Sequence, residues 1–193
     1  MGRKGVEVLA LIALFTALAL PAWAQGGAAA TQLQGFEEVP AIATPATGRF
    51  TAQINQAAGS IAYELSYADL QGSITQAHIH FAQEGVNGGI MVFLCSNLGN
   101  GPAGTPACPA SPGSVSGTAT AEDVVAVAAQ GISAGQMHKV LRAIRSGIAY
   151  VNVHTTLFPG GEIRGQLSFR RGRSSGDALL EEIEADGTEE HHH

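Results

Sequence analysis

The feature that most constrains this chain is a strict two-residue alternation of apolar and polar side chains. Phe50, Ala52 and Ile54 alternate with Thr51, Gln53 and Asn55. After the break at Ala58-Gly59-Ser60 the pattern resumes, with Ile61, Tyr63, Leu65 and Tyr67 set against Ala62, Glu64 and Ser66. Period two on both sides of a turn predicts a β-hairpin with one buried face. Ile74–Phe81 reads as a third strand and Ile90–Leu94 as an apolar strand, separated by the turn Gly85–Gly89. Ser114–Thr120 is a short strand of small and β-branched residues. Ile148–Thr155 and Glu162–Arg170 flank Thr156-Leu157-Phe158-Pro159-Gly160-Gly161 as a second hairpin. Pairing across that turn puts Val151 and Val153 on one face with Ile163 and Leu167. The other face carries Tyr150, Asn152, His154, Glu162, Arg164 and Gln166.

Between these hairpins the period changes. Thr120 is placed to cap a helix that begins at Ala121, with Glu122 and Asp123 in its first turn and Gly131 at its end. Ser133 opens a second helical stretch through Arg145, whose apolar stripe is Met137, Val140, Leu141 and Ile144. The predicted fold is therefore all-β, an antiparallel β-sandwich or barrel of about seven or eight strands with a helical excursion over about 121–146.

The ends of the chain read differently. Arg3 and Lys4 precede the apolar run Val8–Leu20, Pro21 breaks it, and Ala22-Trp23-Ala24 has the small-x-small form of a cleavage site. Residues 1–24 are thus expected to be a signal peptide cut after Ala24, which sends the mature chain to the periplasm or outside the cell. Residues 25–34, rich in Gly, Ala and Gln, are expected to be a flexible lead-in, and 35–170 the folded domain. Residues 171–193 read as a disordered acidic tail, since Asp177–Glu190 carries seven acids and no base. His191, His192 and His193 are set aside from fold reasoning.

Composition excludes several function classes. The 193 residues carry a formal charge of −6, and residues 25–176 hold eight acids and eight bases, so there is no basic footprint for nucleic acid. No run of about 20 apolar residues follows the N-terminus, so no membrane span is expected in the mature chain. There is no GxSxG elbow, no Walker loop and no Rossmann fingerprint. The spacing of Glu37, Glu38, Glu64 and Glu162 does not suggest a glycosidase pair, and Glu37-Glu38 reads as a solvated strand end. Cys95 and Cys108 enclose a loop rich in Gly, Pro, Asn and Ser; in an oxidising compartment they are expected to form a disulfide.

Histidine is where chemistry concentrates. His78 and His80 lie two apart on a predicted strand, so their rings leave the same face, opposite Ala77, Ile79 and Phe81. His154 lies on the polar face of another strand, with Glu162 expected across the hairpin and Asn152 beside it as outer residues. Three imidazoles from two strands would make a nitrogen-only metal site with an open position, suited to copper and less to zinc. The other reading makes the histidines hydrogen-bonded structural groups in a module that binds an envelope protein or glycan. His138, on the second helical stretch, reads as a surface or structural residue.

Several segments, taken together, resemble the CHRD domain family. They are Phe36-Glu37-Glu38-Val39-Pro40, Ala46-Thr47-Gly48, Ala77-His78-Ile79-His80 with Gly85-Val86-Asn87-Gly88, Tyr150-Val151-Asn152-Val153-His154-Thr155, and Phe158-Pro159-Gly160-Gly161-Glu162-Ile163-Arg164-Gly165-Gln166. The resemblance spans about residues 31–169 in the family's order, with a departure at Phe81-Ala82-Gln83-Glu84. It implies an all-β domain outside the cytoplasm; the growth-factor antagonism of chordin does not carry over. A looser similarity of site type is to the copper site of Cu/Zn superoxide dismutases. That likeness implies ligand roles for His78, His80 and His154 and an anion-steering role for Arg164, with superoxide as the small anionic partner. The bridging histidine and zinc loop of those enzymes have no counterpart here.

Overall fold

The computed structural model describes residues 26–172. The expected signal peptide and acidic tail lie outside the described residues. Nine strands form one antiparallel sheet: β1 (Gly27–Gln34), β2 (Thr47–Asn55), β3 (Ser60–Ala68), β4 (Ile74–Phe81), β5 (Gly89–Ser96), β6 (Gly113–Ala119), β7 (Tyr150–Thr155), β8 (Ile163–Gln166) and β9 (Ser168–Arg171). A single α-helix, α1 (Met137–Arg145), precedes β7. The spatial order is β5-β4-β7-β8-β1-β2-β3-β6, with β9 also on β1. The sheet curls into a nearly closed barrel. Across the remaining gap the Tyr63 hydroxyl of β3 donates to the Leu94 carbonyl of β5 at 2.8 Å.

The alternation fixes the register as expected. β2 and β3 pair from Asn55↔Ser60 to Thr47↔Ala68, and this aligns Phe50, Ala52, Ile54, Ile61, Tyr63, Leu65 and Tyr67 on the buried face. The core continues through Ile79, Met91, Leu94, Val151, Val153 and Ile163, and α1 adds Val140, Leu141 and Ile144. Among the described residues no helix is long and apolar enough to cross a membrane.

The structure corrects two sequence expectations here. Residues 27–34, expected to be flexible, form β1, a central strand paired with β2 along its whole length and with β8 and β9 on its other side. Ala, Gly and Gln have weak strand preferences, but tertiary pairing overrides them. Smallness is used at Gly27, where a Cβ would lie 2.4 Å from the Phe169 ring. The helical excursion is also shorter than expected. The Thr120–Asp123 capping box forms, but it closes only a single 3-10 turn, Ala121–Asp123. The β-branched residues that follow go to strand-like pairing instead: Val124 bridges Val92 at the free edge of β5, and Val127 bridges Ile132. Gly135 has φ +80, so α1 starts only after it.

Cys95 at the end of β5 is bonded to Cys108, and both are buried. Asn97 secures the loop they close: its amide nitrogen donates to the Ile74 and Cys108 carbonyls, and its oxygen accepts from the Cys108 N–H.

Candidate metal centre

β7 lies between β4 and β8, and all six of its residues are buried. Val151 and Val153 enter the core. Tyr150, Asn152 and His154 lie on the opposite face, which loops cover. β4 runs beside it with His78 against Asn152 and His80 against Tyr150. The polar face read from the sequence is therefore enclosed, and His78, His80 and His154 are exposed by 0%, 7% and 7%.

The three imidazoles meet there. His78 Nδ1 is 3.2 Å from His154 Nε2, and one ring nitrogen from each residue lies within 4.8 Å of the other two. Two nitrogens each about 2.0–2.1 Å from one ion at a tetrahedral angle would be about 3.4 Å apart, so the closest pair already has ligand spacing. The third nitrogen, within 4.8 Å of the other two, would have to move closer by up to about 1.4 Å to reach that spacing.

The outer partners set the tautomers. His80 Nδ1 is 2.9 Å from the Gly88 carbonyl and His154 Nδ1 is 2.9 Å from the Pro159 carbonyl. Facing an acceptor, His80 Nδ1 carries the hydrogen, which leaves its Nε2 as a bare lone pair; His154 has an acceptor at each nitrogen, the Pro159 carbonyl and Asn152 Oδ1. His80 Nε2 and His78 Nε2 are buried with no hydrogen-bond partner. A buried ring nitrogen without a partner is costly, and a cation would satisfy the His80 lone pair; His78 offers an ion only one of its two nitrogens. Burial also keeps the rings neutral, as metal binding requires. Desolvation, followed by the neighbouring imidazoles, pushes His78 down to about 2. Desolvation pushes His80 down to about 4 against the opposing pull of its Gly88 bond. His154 is lowered by the same burial.

A stack braces the site. The His80 ring lies parallel to Tyr150 with centroids 4.7 Å apart, and the Arg164 guanidinium carbon sits 3.4 Å from the Tyr150 centroid. Arg164 is 2% exposed, and its terminal nitrogens donate to Asn87 Oδ1 and the Val86 carbonyl at 3.1 and 2.8 Å. It fixes the 83–88 loop, whose Gly88 carbonyl holds His80. The sequence placed Arg164 beside the histidines as a steering group; the structure makes it a buried anchor that contributes charge from within.

Glu162 does not join the site. Across the hairpin from His154, its Oε1 accepts from the Thr44 hydroxyl and the Gln71 N–H, and its Oε2 accepts from the Thr155 hydroxyl. With its carboxylate engaged by these three donors, Glu162 makes no contact with His154, whose Nδ1 faces the Pro159 carbonyl instead. Asn152 Oδ1 does lie 3.0 Å from His154 Nε2. His138 is exposed on α1.

Sequence reasoning missed Glu38. It is 6% exposed, not a solvated strand end, and its Oε1 has no partner. Burial raises its pKa to about 7, against the Arg164 charge and the Asn152 side chain, which lower it. The only sequence signal for it was its place in Phe36-Glu37-Glu38-Val39-Pro40, since a pair of glutamates between strands otherwise looks solvated.

No curated protein and no solved structure matched the chain. The family model described as CHRD domain matches residues 29–167, from the third residue of β1 to the link between β8 and β9. That span contains all three imidazoles, both carbonyls that orient them and Glu38. On this match, and in agreement with the sequence motifs, the chain belongs to the CHRD domain family.

Proposed function

We propose that this protein is an exported copper-binding CHRD-domain protein that disproportionates superoxide. The observation that carries the metal reading is the buried meeting of His78, His80 and His154, with ring nitrogens left without partners. An all-nitrogen donor set favours copper, and zinc is the less favoured occupant. Copper supplies a one-electron couple: one superoxide gives up an electron and leaves as O2, and a second accepts that electron with two protons and leaves as H2O2. The chain's own residues do the rest. Gly88 and Pro159 orient two of the ligands, Tyr150 holds the His80 plane, and the Arg164 charge favours a small anion nearby. Export rests on the N-terminal segment and on the Cys95–Cys108 disulfide, which suits an oxidising compartment.

The test is elemental analysis of protein purified without a metal column and reconstituted with Cu(II). One copper per chain is expected, lost in the His78→Ala/His80→Ala/His154→Ala variant, which retains His191–His193 as an internal control. Superoxide consumption by the loaded protein then separates turnover from storage. A folded protein that retains no copper refutes the metal reading and leaves the histidines as structural groups of a binding module.

A further inference from the structure

Glu38 is a buried carboxyl that neither the fold nor the metal triad uses. Its Oε1 is unpartnered, and the terminal nitrogens of the nearby Arg164 are committed to the 83–88 loop. Leaving such an oxygen without a donor costs stability, so its retention needs a reason.

Its placement supplies one. Gly161, at φ +131, clears the space for the carboxyl, since a Cβ there would lie 2.3 Å from Glu38 Oε1. The same turn presents the Pro159 carbonyl to His154. On the other side, Asn87 Nδ2 donates to the carbonyl of Val39 at 2.8 Å, and the next residue, Gly88, holds His80. Asn152 lies between them, 3.0 Å from His154 Nε2 and close enough to Glu38 to favour its charged form. The two loops that orient the ligands thus also position Glu38. It stands outside the trio whose ligand atoms lie within 4.8 Å, so it is not a fourth ligand.

We propose that Glu38 is the residue that receives an exogenous ligand at the triad, its free oxygen being the hydrogen-bond partner of a small protic oxygen species in the open position. This rests on the metal reading above. Three imidazoles leave a position open, and among the buried groups of the described residues with unspent hydrogen-bonding capacity Glu38 carries the one carboxyl; the other non-imidazole group, Gln166 Oε1, belongs to a neutral amide. With its pKa near 7 it can accept or donate a proton close to neutrality. The groups that face it are Arg164 from β8, Asn152 and Tyr150 from β7, and the Gly161 backbone from the following turn.

The probe is azide, an anion that occupies open copper positions, titrated optically into copper-loaded wild-type protein, Glu38→Gln and Glu38→Ala. At pH 8.5 the wild-type carboxylate repels the anion, and either neutral variant is expected to bind azide about tenfold more tightly. At pH 5.5 the wild-type carboxyl is protonated and donates, so wild type and Glu38→Gln converge to within about twofold while Glu38→Ala is weaker. Equal azide affinities in all three proteins at both pH values overturn the assignment while the copper reading stands. A Glu38→Gln protein that loses copper also overturns it, by making Glu38 part of the ligand set. Wild-type protein without copper overturns both readings. If Glu38→Gln does not fold, Glu38→Ala carries the pH 8.5 comparison, because truncation introduces no new group beside Gly161.

Discussion

Acid should destabilise the metal-free protein, and Glu38 should halve the loss. Below about pH 6.5 an unfolded chain protonates its histidines, whereas in the native state His78 and His80 hold out until about 2 and about 4. Between pH 7 and pH 5 the unfolded state therefore gains about 2 kcal/mol for each of these two rings, and His154 acts in the same direction. Glu38 works the other way. Its pKa is raised from 4.5 to about 7, so its contribution is complete below about 4.5 and is lost as the pH rises through about 7. Over the same interval it restores about 2 kcal/mol. The wild-type protein should lose about 2 kcal/mol on acidification, or somewhat more through His154, and Glu38→Gln about 4. Guanidinium unfolding of chelator-treated protein, followed by far-ultraviolet circular dichroism at the two pH values, measures both. Unchanged or higher wild-type stability at pH 5, with no extra loss in Glu38→Gln, would refute the picture of neutral buried imidazoles opposed by a protonated carboxyl.

Copper at about a hundredfold over its dissociation constant should stabilise the protein by about 3 kcal/mol and raise the melting temperature by roughly 6–12 °C, measurable by calorimetry against the triple-histidine variant. Arg164→Lys should cost about 2–4 kcal/mol in denaturant titrations despite keeping the charge, because an ammonium cannot both stack on Tyr150 and bond Asn87 and Val86. Replacing Cys95 and Cys108 by Ala should cost about 3 kcal/mol in the same assay, since the bridge closes a chain separation of 13 residues. Gly161→Ala should be destabilising and should lower copper affinity in a competition titration. The new Cβ would meet Glu38 at 2.3 Å in the turn that also holds His154.

Much of the barrel was legible in the sequence because one-sided burial leaves a period of two. β2, β3, β4 and β7 follow from it, as does the shared face of His78 and His80. β1 left no such trace, because Ala28–Ala30 have almost no side chain with which to signal a face; pairing alone makes it a strand. Val124 and Val127 looked helical by spacing, yet the open edge of β5 drew Val124 into a bridge. At the site, alternation distinguishes the two faces of β7 but cannot say that loops cover the second one. For the same reason Glu38 looked solvated and Glu162 looked like a partner of His154. Both outcomes depend on remote segments: Thr44 and Gln71 supply donors to Glu162, and the Gly161 turn leaves the space that buries Glu38.

The enclosure of the triad has a kinetic consequence. With no ligand ring more than 7% exposed, the resting conformation gives an ion little direct access to the lone pairs. Entry is expected to need movement of the 83–88 loop or the 156–161 turn, each held by the carbonyl contact that orients a ligand. Loading should therefore reach a ceiling set by the opening rate, whatever the ion concentration, and release should be slower still because the ion tightens its own lid. A protein built this way holds its ion for long periods and exchanges it rarely, behaviour suited to surroundings where the metal is scarce and competing ligands are abundant.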